Sequence, residues 1–463
     1  MHRKEAIGVS ASMVFALTVL VGGTAWAEVI LPATIGSRMV LQQDMPATIW
    51  GWAQPGEVVT VRFDSLSAVK TETDEHGNWK VVLPRRRADG KAHRMVVTGT
   101  LPQEAQTITN TLQLSDILIG EVWLGSGQSN MERWLGGTRD GAAAIAAATN
   151  FRIRLLHVPN VQSPQPAKNV NAAWKVCSPL TVGGFSAVLY YFGSRIEKEL
   201  NVPVGLINAS WSGSLIEPWM VSTNPPGELY NAMIAPLVPF AIRGVLWYQG
   251  EANTFQNDGM KYFKKKKALI EAWRRAWGYD FPFYFVQLAP FSGYSGEQLQ
   301  ALWEAQAASL RIPGTGMAVT TDLVDNMDDI HPQNKWDVGN RLALWALART
   351  YGRHDIVFSG PLYKGMKIEG NRIRLAFAHA KGGLKSRDGN PLKEFEIAGA
   401  SGNFVAAEAV IDGETVVLQA AGMDAPTQAR FGWSKTANPN LVNRAGLPAS
   451  PFRTENWQGG TGE

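Results

Sequence analysis

The sequence predicts an α/β protein: a three-layer α/β/α domain on a parallel sheet, flanked by an N-terminal and a C-terminal β domain. Three observations predict it. Between residues 116 and 352, short apolar strand patterns alternate with helical ones, as in a parallel sheet covered on both faces. On either side, short strands are split by Gly, Pro and Asn turns without helical spacing. The 463 residues also exceed what one compact core holds, so two or three domains are expected.

The N-terminal β domain spans 28–115, with strand patterns at 47–52, 58–63, 79–83 and 93–97 that suggest a small sandwich. In the α/β domain, 116–352, strands are predicted at 121–124, 153–157, 204–208, 244–247, 283–287 and 317–321. Between them Phe185, Val188, Leu189, Phe192 and Ile196 recur at helical spacing. So do Leu269, Trp273 and Trp277, then Val338, Leu342, Trp345 and Ala346. The C-terminal β domain, 353–463, has strand patterns at 367–368, 372–377, 394–397, 404–410, 415–418 and 430–433. A parallel sheet places ligands at the carboxyl ends of its strands.

Composition excludes little but is informative. With 44 basic and 40 acidic side chains the net charge is +4, too small an excess to imply nucleic-acid binding. The densest basic run, Lys264-Lys265-Lys266-Lys267, reads as the solvated face of a helix. Seventeen Trp serve either cores or the stacking of sugar rings. His2, Arg3 and Lys4 precede an apolar stretch at 6–21, and Ala25-Trp26-Ala27 offers small residues to a signal peptidase. A signal peptide over 1–27, cleaved after Ala27, predicts a periplasmic or secreted protein. No later apolar run is long enough to span a bilayer, so no stable membrane insertion is expected after cleavage. The single cysteine, Cys177, forms no internal disulfide and reads as a buried small hydrophobe. No Cys/His cluster has metal spacing, so no structural zinc site is expected.

Two places carry chemistry. The strand at 121–124 runs into Gly125-Ser126-Gly127-Gln128-Ser129-Asn130-Met131. A serine in a Gly-rich turn at the end of a parallel strand is exposed, with its own N–H available to a developing oxyanion. Met131 stands where the α/β-hydrolase elbow has its second glycine, so the turn is not that motif. A plain helix N-cap is the structural alternative. Some 200 residues later comes Asp328-Asp329-Ile330-His331-Pro332. Asp and His three apart in one loop can hydrogen-bond, the carboxylate orienting the ring and stabilising imidazolium. Of the seven histidines, only His331 has a carboxylate at that spacing in a loop after a sheet strand.

Ser129 with Asn130, together with the late Asp-x-x-His, resembles the SGNH (GDSL-type) hydrolases. More closely, the chain resembles bacterial sialate O-acetylesterase-like carbohydrate acetylesterases. The similarity runs through 120–124, Val202-Pro203-Val204-Gly205, Trp211-Ser212-Gly213-Ser214, Trp247-Tyr248-Gln249-Gly250-Glu251-Ala252-Asn253, His331-Pro332-Gln333-Asn334-Lys335 and 446–453. It implies a serine esterase that removes acetyl groups from an acetylated carbohydrate, sialic acid or plant cell-wall glycan, by an acyl transfer that requires neither metal nor organic cofactor. Ser129 is then the nucleophile, His331 its base and Asp328 the orienting acid, with the adjacent Asp329 as alternative. The implied oxyanion hole combines the N–H groups of Ser129 and Gly213 with a side-chain amide, Gln249 or, second, Asn253. Relatives often have two glycines after the tryptophan. If the first were the donor, the Ser212 N–H would take its place here.

Trp211, Trp219 and Trp247 are candidates to stack on sugar, and Arg133 to meet a carboxylated substrate. Glu251 either touches substrate or braces its loop. Two other functions compete: a non-catalytic glycan-binding protein on an esterase-like fold, and a lipase or thioesterase of the same superfamily.

Overall fold

A computed structural model describes residues 27–102 and 107–462. The proposed leader, Ala27 excepted, lies outside the described residues.

The chain opens with β1 (Val40–Gln42), β2 (Ala47–Trp52), β3 (Val58–Phe63), β4 (Val69–Glu72), β5 (Asn78–Leu83), β6 (His93–Pro102) and β7 (Thr107–Gly127). Burial alternates residue by residue in β2 and β5, as one-sided strands require. β2 pairs with β5, and β3 lies between β4 and β6; Ile49, Val59, Phe63 and Trp79 fill the space between. The 21-residue β7 joins two regions. Its first part pairs with β6, and it bulges at Ser115 and Asp116, where Asp116 has φ 56°. From Ile117 onward it is buried throughout and becomes the centre of a second sheet.

That sheet adds β8 (Ile153–His157), β9 (Lys175–Val176), β10 (Val204–Ser210), β11 (Gly244–Tyr248), β12 (Phe283–Val286) and β13 (Thr315–Ala318), in the order β13-β12-β11-β7-β10-β8-β9, parallel except for β9. The helices are α1 (Ser129–Glu132), α2 (Gly141–Ala147), α3 (Ala187–Leu200), α4 (Glu251–Phe255), α5 (Met260–Trp277), α6 (Gln298–Ala308) and α7 (Lys335–Trp345). Adjacent residues of β12 show the three layers. Phe283 meets Trp273 of α5 on one face, and Tyr284 meets Trp345 of α7 on the other. The chain goes from β7 out to β8, returns to β10 beside β7, then crosses to β11. The strand order therefore reverses around the carboxyl end of β7, where such sheets bind ligands.

Past the last helix, two four-stranded antiparallel sheets surround a separate apolar cluster that includes Ile373, Phe395, Val416, Phe431 and Phe452. Among the described residues no helix is long and apolar enough to cross a membrane.

Three sequence expectations need correction. The strand expected at 317–321 is Thr315–Ala318. Gly314, with φ 70°, turns the chain into it, while 319–321 leave the sheet yet stay buried, Val319 O accepting from Arg341. The β-branched side chains of Val319, Thr320 and Thr321 mark burial here, not pairing. The strand expected at 404–410 is two, Val405–Ala406 and Glu408–Asp412, which belong to different sheets. In the basic run, Lys266 is fully buried, its ammonium 2.9 Å from the centre of the Phe285 ring, so the α5 run is not wholly solvated. Cys177 is buried, and burial pushes its thiol up to about 12.

Candidate active site

The serine turn follows from one glycine. Gly127 closes β7 with φ 133°, and a Cβ there would lie 2.1 Å from Tyr248 O. Only glycine lets β7 turn this tightly against β11. Gln128 then fastens the turn: its N–H donates to Tyr248 O at 2.9 Å, and its side-chain oxygen accepts from the N–H groups of Gly250 and Ala252 at 3.3 Å. Ser129 follows as the first residue of α1. The capping residue is Gln128, without a side-chain cap bond, so Ser129 is no N-cap. Its Oγ makes no hydrogen bond to any described residue, and the residue is half-buried at the switch point of the sheet.

The histidine loop runs between β13 and α7. His331 Nδ1 lies 3.6 Å from Asp329 Oδ1, and the same oxygen accepts the His331 backbone N–H at 2.8 Å. Asp328, the acid first matched to the ring, faces away: its carboxylate accepts from Ser292 Oγ. In this geometry the carboxylate facing the ring is therefore that of Asp329. A turn on Asn326, whose side chain accepts the Asp328 N–H and whose carbonyl accepts the Asp329 N–H, directs the two neighbours apart. Burial, helped by the Lys335 and Arg133 cations, holds His331 below its usual value of 6.5, while Asp329 pulls the other way.

No hydrogen bond joins Ser129 to His331 directly. Their loops are tied one residue away on each side, Asn130 Nδ2 donating to Ile330 O at 3.0 Å. Contacts between nucleophile and base are commonly long until substrate closes them.

Two of the backbone donors expected for the oxyanion are free. The N–H groups of Ser129 and Gly213 have no acceptor among the described residues. Gly213 has φ 72°, and a Cβ there would meet nothing within 4 Å, so its N–H sits on an open rim. The Ser212 N–H is engaged, donating to Glu132 Oε2 at 2.6 Å, which removes it as an alternative. Both amides expected in the oxyanion hole are also engaged. Gln249 Nε2 lies 2.7 Å from Asn253 Oδ1, 3.1 Å from Ser214 O and 3.2 Å from Gln128 Oε1. Asn253 Nδ2 donates to Asp258 and Glu217. Both side chains are fully buried, and they fasten the Ser212–Gly213 loop from below, Asn253 Oδ1 accepting the Ile216 N–H.

The profile of the family described as "Carbohydrate esterase, sialic acid-specific acetylesterase" matches residues 119–348, which include both loops. The sialate O-acetylesterase of Homo sapiens is 32% identical over 392 residues, 72% of this chain and 73% of that protein. The chain belongs to the sialic acid-specific acetylesterase family. The sialate O-acetylesterase of Mus musculus is 30% identical over 417 residues, 72% of this chain and 76% of that protein. The crystal structure of a carbohydrate acetylesterase from Xanthomonas citri superposes with a TM-score of 0.87 at 38% identity, covering 93% of this chain and all of that one. As a member of this acetylesterase family, the chain is a carboxylic ester hydrolase.

Around this esterase site the substrate candidates sort by burial. Trp247 and Trp219 are core residues, both fully buried and packed edge to face with each other. Trp247 also donates to Tyr262 at 3.2 Å, so neither ring meets sugar. Glu251 is buried and accepts from Asn130 at 2.6 Å, so it braces the turn rather than binding substrate. Trp211 is half-buried beside Gly213. Arg133 lies over the ring of Trp134 at 4.8 Å and donates to Gly137 O. Trp134 and Trp336, each 51% exposed, are aromatic surfaces that sequence reasoning missed because no periodicity marks them. The available signal was position, five residues after Ser129 and five after His331. Among the described residues, no group of three or more His, Cys, Asp or Glu could hold a metal ion.

Proposed function

We propose that this chain is a serine O-acetylesterase acting on carbohydrate, with Ser129 as nucleophile, His331 as base and Asp329 orienting the ring. One observation carries the reading: an unbonded serine hydroxyl at the switch point of a parallel sheet is tied, through Asn130 and Ile330, to a loop holding a histidine and its carboxylate. Ser129 Oγ attacks the acetyl carbonyl carbon while His331 takes its proton. The oxyanion rests on the N–H groups of Ser129 and Gly213, each such donor contributing roughly 10²–10³ in rate. Collapse expels the sugar oxygen, which leaves with the proton from His331. Water then repeats the sequence on the acetyl-serine and releases acetate.

Arg133 favours a carboxylated sugar such as O-acetylated sialic acid over neutral cell-wall glycans. Its charge acts on His331, and no ion pair with a described carboxylate neutralises it. The exposed Trp134 beneath it supplies an apolar face for a ring. The basic start and small-residue site of the leader support export to the periplasm or medium.

Acetate release from O-acetylated sialic acid, acetylated xylan and acetylated pectin tests the substrate. Acetylated xylan, whose backbone is neutral, turning over faster than both carboxylated substrates would reject the carboxylate reading. Trp134→Ala is expected to raise KM for the preferred glycan about tenfold more than KM for p-nitrophenyl acetate, the worth of one lost stacking contact.

His331 works as a neutral base, so activity is lost as pH falls through its own ionisation. Because that ionisation is depressed, kcat/KM on p-nitrophenyl acetate should hold down to a pH below 6.5 before it declines. An acid limb centred above 6.5 contradicts this.

A further inference from the structure

Three helix starts converge behind the serine: α1 with Asn130, α4 with Glu251 and α7 with Lys335. All three side chains are at least 97% buried. Asn130 bridges the other two, its Nδ2 donating to Glu251 Oε1 at 2.6 Å and its Oδ1 accepting from Lys335 Nζ at 2.6 Å. A third contact, to Ile330 O, reaches the residue before His331.

Stability alone accounts poorly for this cluster. A lysine at the first position of α7 sets a cation against the positive end of the helix dipole. It is buried with one hydrogen-bond acceptor and the ring of Tyr248 at 5.4 Å. Glu251 Oε2 is buried without any partner. A buried polar network left incomplete is usually worse for stability than apolar packing of the same volume. Acid and base are also held apart by an amide, where direct contact would gain more Coulomb energy. What the arrangement gains is position. A carboxamide can donate to a carboxylate and accept from an ammonium at once, and this one belongs to the neighbour of Ser129.

We propose that Lys335, acting through Asn130, is a positioning residue that locks the Ser129 turn against the His331 loop. This rests on the assignment of Ser129 and His331 given above. The charged groups around Lys335 are Glu251, Arg133 and Asp329, and burial takes its ammonium down to about 7. The same cation acts on His331, whose other charged neighbours are Asp329 and Arg133. Removing it weakens one of the causes that depress the imidazole, so the acid limb moves to higher pH.

The experiment compares wild type, Lys335→Met, the doubly neutral Glu251→Gln/Lys335→Met and Ser129→Ala on p-nitrophenyl acetate, with thermal melting of each. Lys335→Met is expected to lose about 10²-fold in kcat with KM within about threefold, the scale of a small misplacement of reacting groups. The double variant should show a similar loss while melting no lower than wild type, and both should shift the acid limb upward. A double variant that folds yet keeps wild-type kcat and acid limb overturns the proposal. So does a loss carried by KM, or failure of both variants to fold, which would make the cluster a structural brace. An active Ser129→Ala variant, by contrast, would remove the nucleophile assignment itself.

Discussion

Ser129→Ala is expected to lower kcat on p-nitrophenyl acetate by about 10⁴-fold or more while leaving the melting temperature unchanged. The Oγ makes no hydrogen bond to any described residue, and the side chain sits half-buried in its turn, so its removal opens no cavity and strands no polar partner. The backbone donors at Ser129 and Gly213 persist in the variant, which is why a residual rate above water should survive. His331→Ala is expected to lose a comparable factor. The double variant should be no slower than the worse of the singles, because a nucleophile and its base act as one unit. Multiplying losses would show that the two groups work independently. A rate within tenfold of wild type for Ser129→Ala would reject the serine mechanism and return the glycan-binding alternative to consideration.

The parts of this site legible in the sequence share a physical character. Ser129 sits where a strand pattern ends and His331 in the loop that follows the last one, and a sheet of alternating strand and helix places such residues at one rim by its topology. The apolar alternation of β2 and the helical spacing of Phe185 to Ile196 both report burial directly, so those elements could be read locally. Side-chain direction inside a loop obeys no period. Nothing in Asp328-Asp329 says which carboxylate turns inward; the bonds made by Asn326 and Ser292 decide that. Gln249 and Asn253 look like available donors in a string of letters. Their acceptors come from Gln128, Ser214, Glu217 and Asp258, which only the folded chain brings near. Trp247 and Trp134 differ for the same reason. One lies in the central sheet under α5, and the other lies on a turn that no element covers.

The two aspartates separate most sharply by substitution. Asp329→Asn keeps the shape of the loop but removes the charge facing the ring, and an amide can also favour the wrong tautomer. A loss of about 10³-fold in kcat is expected. That is below the largest values seen for buried orienting acids, because Asp329 is 40% exposed and 3.6 Å from Nδ1, where solvent already screens it. The pH profile supplies a second, independent sign. Asp329 raises the His331 ionisation, against burial and the two cations. Without it the imidazole is depressed further, and the acid limb of kcat/KM moves to lower pH as the plateau falls. Asp328→Asn should do neither, since its carboxylate serves Ser292 on the outside of the loop. If Asp328→Asn instead carried the larger loss, the loop would have to turn over when substrate binds. The Asn326 bonds that now hold it would then break, exchanging the two carboxylates at the ring.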